Sequence, residues 1–131
     1  MTAAYYAAVF FAWGAHLPYW PVWLEGWGLE ADEIGYFLGA ALIARTAGTM
    51  ILPAIADRYA IRRTMLAASS ILVVIVHLLH LWVVSAPVLL MLTMLAAAIM
   101  APSVPIGEAL GMRAARQHRF GYAAVRAAGS I

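Results

Sequence analysis

Asp57-Arg58-Tyr59-Ala60-Ile61-Arg62-Arg63 sets three arginines against one aspartate between two long apolar blocks. A connection this short forces its flanking helices to run antiparallel. Its basic excess also fixes direction, because basic residues in short loops stay on the cytoplasmic side of a bilayer. The rest of the chain takes its orientation from this loop.

The chain has 131 residues, of which 66% are hydrophobic and 11% charged, with a mean hydropathy of +0.89. Soluble domains hold roughly 45 to 50% apolar residues, so this composition is that of an all-α, polytopic transmembrane helical bundle. The absence of cysteine excludes disulfides and thiolate metal sites. A net charge of +2 and a pI near 9.3 would suit nucleic acid in a soluble protein, but these arginines sit mostly at helix ends. Positive-inside topology accounts for them, and no nucleic-acid partner is expected. No cofactor motif, metal-ligand cluster or nucleophile elbow is present, so no enzyme and no resident cofactor are expected. No cleavable signal is expected either, since the apolar run begins at Ala3 with no basic residue ahead of it.

Residues 3–24 lack charged side chains apart from His16, and about 20 residues span a ~30 Å hydrocarbon core. This is the first expected helix, with Pro18 and Pro21 predicting a kink and Trp20, Trp23 and Trp27 fitting an interfacial aromatic belt. Glu25, Glu30, Asp32 and Glu33 make an acidic outer turn. The second helix is predicted over 32–56, with Asp32 and Glu33 at the positive end of its dipole. Its Gly35, Gly39, Ala44 and Gly48 are small residues at spacings that permit close helix approach. A third helix is predicted over 64–84, and a fourth over 87–112, broken or bent in its last third by Pro102, Pro105 and Gly107. Arg113, Arg116 and Arg119 then form a second inner loop, and an incomplete fifth helix begins at 120 and stops at 131. Four complete spans and part of a fifth read as the N-terminal portion of a larger bundle, whose C-terminal helices are an expected partner.

Pro53-Ala-Ile-Ala56-Asp57-Arg58-Tyr-Ala60-Ile61-Arg62-Arg63 resembles the cytoplasmic loop of the major facilitator superfamily, whose pattern is Gly-x-Leu-Ala-Asp-Arg-x-Gly-Arg-Arg. Here Pro53 and Ala60 stand for its two glycines and Ile61 for its first basic residue. Gly14-x-x-x-Pro18-Tyr19-Trp20-x-x-Trp23-Leu24, with Gly28 and Ile34-Gly35, resembles the first helix and turn of the phenylpropionate permease branch. The run ending at Glu108, then Tyr122-x-x-Val-Arg126-x-x-Gly129-Ser130, resembles helices four and five of that branch and of the lactose permeases, with Ala123 where the family has Gly. The resemblance implies the first four to five helices of a superfamily N-terminal half. It implies proton-coupled uptake of a small solute, the proton being the coupling ion, at a site near the midplane between two six-helix halves. It also implies a gating role, and no solute contact, for Asp57, Arg58, Arg62 and Arg63.

Arg45 lies 12 residues from both Glu33 and Asp57, about 18 Å from each end of its helix. A guanidinium there costs about 2.5 to 3.5 kcal/mol on the insertion scale and must face a cavity or a partner. His16 sits at similar depth, and Trp13, His16 and Trp20 share a helix face that could stack a ring. Glu108 and Arg126 both fall about 8 to 10 Å inside the cytoplasmic boundary of an antiparallel hairpin, where opposite charges favour each other's ionised form. In the permeases that this chain resembles, the corresponding pair contacts solute. His77 and His80 are expected to hydrogen-bond within the bundle or lie near the outer surface, and Tyr5, Tyr6, Phe10 and Phe11 to serve packing and the interface.

The leading expectation is a proton-coupled symporter in the cell inner membrane, N-terminus cytoplasmic, for a small organic solute. Two intramembrane cations, Arg45 and Arg126, suit an aromatic carboxylate; a sugar or nucleoside is the alternative. The rival of another class is a non-transporting remnant or scaffold subunit. The topology is open to direct test, helped by the cysteine-free background. Single cysteines replacing Arg62 and Trp27 should label from opposite sides of intact cells, Trp27 from outside; labelling of both from outside would reverse the assignment.

Overall fold

A computed structural model describes residues 2–118, and among these only helices, turns and extended connections occur. The expected Arg126 and the fifth helix from 120 lie outside the described residues. The order is α1 (Thr2–Gly26), α2 (Ala31–Arg58), α3 (Arg62–Leu79), a 3-10 turn (His80–Trp82), α4 (Ala86–Met100) and α5 (Ser103–His118). Three stretches, Ala31–Arg58, Arg62–Trp82 and Ala86–Arg113, are long and apolar enough to cross a membrane. The 25 residues of α1 have the length, but its Trp, Tyr, Pro and His side chains dilute its hydropathy. Such side chains favour the membrane interface over the hydrocarbon.

Two connections close by the same device. At the end of α1, Gly28 takes a positive φ of 101°, Leu29 N–H donates to the Leu24 carbonyl at 3.3 Å and Gly28 N–H to that of Glu25 at 2.9 Å. At the end of α2, Ala60 takes a φ of 54°, Ile61 N–H donates to the Ala56 carbonyl at 3.0 Å and Ala60 N–H to that of Asp57 at 3.3 Å. Both patterns are Schellman motifs, which satisfy carbonyls that the helix end would otherwise orphan. Leu24 and Leu29 are both buried, giving the apolar contact that accompanies the motif. The start of α2 is closed too, since Glu30 N–H donates to the Glu33 carboxylate at 2.9 Å, half of a capping box.

Prolines divide the helices unevenly. The expected kink at Pro18 and Pro21 does not end α1, and Pro53 lies within α2. Only Pro102 lies between two helices, α4 and α5, with Pro105 in the first turn of α5. There Ser103 lies between the prolines and its hydroxyl donates to the Met100 carbonyl at 2.6 Å, while Ile106 N–H donates to that of Pro102 at 3.0 Å and starts the next turn. In α1 the corresponding residues between the prolines are Tyr19 and Trp20, which have no short hydroxyl to offer. Beyond the break, α5 runs to His118, so Arg113 and Arg116 are helical where a loop was expected. Alanine, methionine, arginine and glutamine in that stretch are strong helix formers.

The described residues form two compact units, residues 35–106 and residues 2–34 with 107–118. In the first, Val76 of α3 packs with Leu92, Ala96 and Ile99 of α4, flanked by Val73 and Val83. Gly48 of α2 meets α4 backbone to backbone: a Cβ there would lie 3.0 Å from both the Cα and the carbonyl carbon of Ala98. Gly35 and Gly39 have nothing within 4 Å of that position, so the small-residue spacing is used at its far end only. Hydroxyls are consumed locally. Thr46, Thr49, Ser70 and Thr93 each donate to the carbonyl four residues back at 2.8 to 2.9 Å, which keeps their polarity inside the helix.

Ala60 carries a strain that Gly28 avoids. An L-residue in the left-handed region costs roughly 1 to 2 kcal/mol, offset by the roughly 0.5 to 1 kcal/mol of extra entropy a glycine loses. Ala60→Gly should therefore stabilise by about 0.5 to 1 kcal/mol, and Gly28→Ala should destabilise by a similar amount, as read from detergent-titrated unfolding midpoints. Equal midpoints for Ala60→Gly and wild type would show that the turn is unstrained.

Candidate functional site

Around Asp57 the α2 cap arranges the loop charges. The chain reversal at Ala60 brings the first turn of α3 back over the last turn of α2, and Arg62 Nε donates to Asp57 Oδ1. The pair is partly exposed, with 29% of the Arg62 side chain and 52% of the Asp57 side chain accessible. Exposed pairs of this kind add little to folding stability, so the contact chiefly fixes where Arg62 points. Arg58 lies over the Tyr59 ring, 5.9 Å from its centroid, and Arg63 is exposed. Of the four loop residues read from sequence, the structure pairs two directly.

On α1, His16 and Trp20 stack with centroids 4.9 Å apart and planes 29° apart. Trp20 also stacks on Trp23, at 5.0 Å and 18°. His16 approaches Trp20 from one helical turn below and Trp23 from one turn above, so both faces of the central indole are covered. An indole in that position can offer its edge or Nε1–H to a solute, while ring stacking is left to the ends of the ladder. Trp23 is the member that sequence reading assigned to the interface alone. Its signal was present in the spacing 16, 20, 23, which keeps one face for two turns. Trp13, one turn before, is half-buried on the same helix.

Arg45 is half-buried in the middle of α2, with its carbonyl accepting the Thr49 hydroxyl at 2.9 Å. Glu108 is half-buried on α5, the helix that begins after the Pro102 break. Its neighbour Gly107 is covered by Tyr5 of α1: a Cβ on Gly107 would lie 2.5 Å from Tyr5 Cε1 and 2.8 Å from its Oη. Sequence reading gave Tyr5 a packing and interface role and Gly107 a part in bending the helix, so the contact between them was not foreseen. In α3, His77 and His80 lie with ring centroids 5.7 Å apart. Their Nδ1 atoms pair with the Val73 carbonyl at 2.9 Å and the Val76 carbonyl at 2.7 Å, as expected for histidines bonded within the bundle. Among the described residues no group of three or more His, Cys, Asp or Glu could hold a metal ion.

Residues 1–131 match the MFS_1 like family. The chain belongs to that family. It is 34% identical over 129 residues to the "Probable 3-phenylpropionic acid transporter" of Escherichia coli (strain K12), covering 96% of this chain and 33% of the relative. The chain thus spans about a third of that relative's length. No solved structure matches it. The major facilitator superfamily resemblance read from the Asp57 loop and the Pro18 and Glu108 stretches is borne out, and with it the all-α fold of a multi-pass membrane protein. A family of transporters also points away from an enzyme.

The indole ladder has a spectroscopic consequence. The Trp20 and Trp23 rings are 5.0 Å apart, close enough for their transitions to couple, and in-plane transitions that cross at an angle should give an exciton couplet in far-ultraviolet circular dichroism. Trp20→Phe should abolish it while Trp27→Phe leaves it; persistence of the couplet in Trp20→Phe would assign it to another pair.

Proposed function

We propose that this chain is the N-terminal transmembrane part of a secondary active transporter, a proton-coupled symporter for a small organic solute, with an aromatic carboxylate as the solute. The carrying observation is Arg45, an ionisable side chain half-buried at the middle of a 28-residue apolar helix. An arginine at that depth is the mark of a solute or ion pathway, and a guanidinium is the donor best matched to a carboxylate. The relative named for 3-phenylpropionic acid supports the same solute class. Arg126 would be the second cation, facing Glu108, and Trp13, His16 and Trp20 would line the aromatic side. Given the covered faces of Trp20, it meets solute through its edge.

In this reading Asp57, Arg58, Arg62 and Arg63 bias the inward-closed state and touch no solute. The Asp57 to Arg62 contact, bridging the ends of α2 and α3, is the kind of link that can be made in one state and broken in another. The protein sits in the cell inner membrane with its N-terminus cytoplasmic, as the positive-inside rule requires of the Arg-rich loop.

The test uses the complete transporter in membrane vesicles. Labelled 3-phenylpropionate should accumulate under an inward proton gradient and stop when a protonophore is added; accumulation unaffected by the protonophore would remove proton coupling. Charge reversal tests the site. A structural clasp tolerates Glu108→Arg with Arg126→Glu, because the attraction survives. A solute site does not, because each group meets a particular part of the ligand. The swapped protein should insert normally yet neither bind nor transport, and recovered transport would return the pair to a structural role.

A further inference from the structure

Gly107 has no room for a side chain, and what occupies that room is the tip of one phenol. The nearest atoms to a Cβ built there are Tyr5 Cε1 at 2.5 Å, Oη at 2.8 Å and Cζ at 3.0 Å. The hydroxyl end of the ring, and not its middle, therefore rests on the α5 backbone. Gly107 is buried and Tyr5 is half-buried. A phenol is apolar along its body and polar at its end, and such rings are placed where one end meets hydrogen-bonding groups. The residue following Gly107 is Glu108, the single acidic residue of α5. Two helices far apart in sequence thus bring a neutral hydroxyl against the α5 backbone, one residue before Glu108.

The chemistry of an acidic solute gives that neighbour a task. A solute carboxylate bound beside the Glu108 carboxyl needs hydrogen-bond donors, and a phenol O–H can donate to it. A phenol does this without adding charge to a low-dielectric site. We propose that Tyr5 is a specificity-determining residue of the Glu108 site, its hydroxyl placed by Gly107 to hydrogen-bond the polar group of the solute. The proposal rests on the reading of Glu108 as a solute residue.

Two variants of the complete transporter separate the hydroxyl from the ring. Tyr5→Phe fills the same space without the hydroxyl, whereas Gly107→Ala keeps the hydroxyl and drives it from its place. Tyr19→Phe, on a side chain 72% exposed, is the control. Initial uptake of 3-phenylpropionate and of a β-galactoside is measured in vesicles matched for inserted protein. A lost neutral hydrogen bond corresponds to a change of about two- to tenfold. KM should rise by that factor in Tyr5→Phe, and by at least as much in Gly107→Ala, with kcat nearly constant and Tyr19→Phe unchanged. A packing role leaves Tyr5→Phe silent, so a wild-type KM in that variant overturns the proposal while the transporter reading stands. If the wild type carries the β-galactoside alone, the aromatic-carboxylate reading falls and the KM comparison is made with the galactoside. If the wild type carries neither, the solute reading of Glu108 and the role of Tyr5 fall together.

Discussion

The hydrogen bond from Ile61 N–H to the Ala56 carbonyl closes α2 and turns the chain back on itself, and the arrangement of residues 35–106 depends on it. A helix end leaves its last carbonyls without intrahelical partners, and here the chain answers them with its own backbone. The Schellman closure does this within five residues and leaves the next helix free to start at Arg62. It also sets Asp57 and Arg62 within reach of one another, so the loop charges inherit their geometry from a backbone requirement. The same requirement explains why Thr46, Thr49, Ser70 and Thr93 all turn their hydroxyls onto carbonyls of their own helix.

Proline creates the opposite problem, a carbonyl four residues back with no N–H to receive. For Pro102 that carbonyl belongs to Ala98, and it is the Ala98 backbone that lies against Gly48. A weak Cα–H donor on glycine can face such an oxygen at close range, and any larger residue at 48 would force the helices apart. The break in the fourth span and the crossing of α2 on α4 are thus two sides of one local event. What Pro102 releases, Gly48 approaches.

The apolar runs of α2, α3 and α4 were legible because a bilayer of fixed thickness imposes lengths that such runs reveal directly. The loop at Asp57 was legible because its charges interrupt those runs. Three features were not. The left-handed turn falls on Ala60, where only the glycine of the superfamily pattern, and not the alanine itself, hints at a positive φ. The prolines of α1 and of the α4 and α5 junction share the same spacing of three, and a single serine hydroxyl distinguishes the junction that separates from the helix that continues. The extension of α5 to His118 was hidden because arginines read as a loop when counted by charge, although they are good helix formers by propensity. Within the site, Asp57 with Arg62 and His16 with Trp20 follow from sequence spacing, whereas Tyr5 beside Gly107 joins residues about a hundred positions apart and has no periodic signature.

The magnitudes separate what folds this chain from what it is for. A cap or a turn glycine contributes about 1 kcal/mol, and the exposed loop pair adds little. Arg45 alone costs about 2.5 to 3.5 kcal/mol at mid-membrane, more than any of these single devices returns. A bundle selected only to be stable would hold leucine there, as the surrounding α2 sequence Leu42-Ile43-Ala44 does. In the proposed transporter the guanidinium serves a solute carboxylate, the anion that its planar fork suits best.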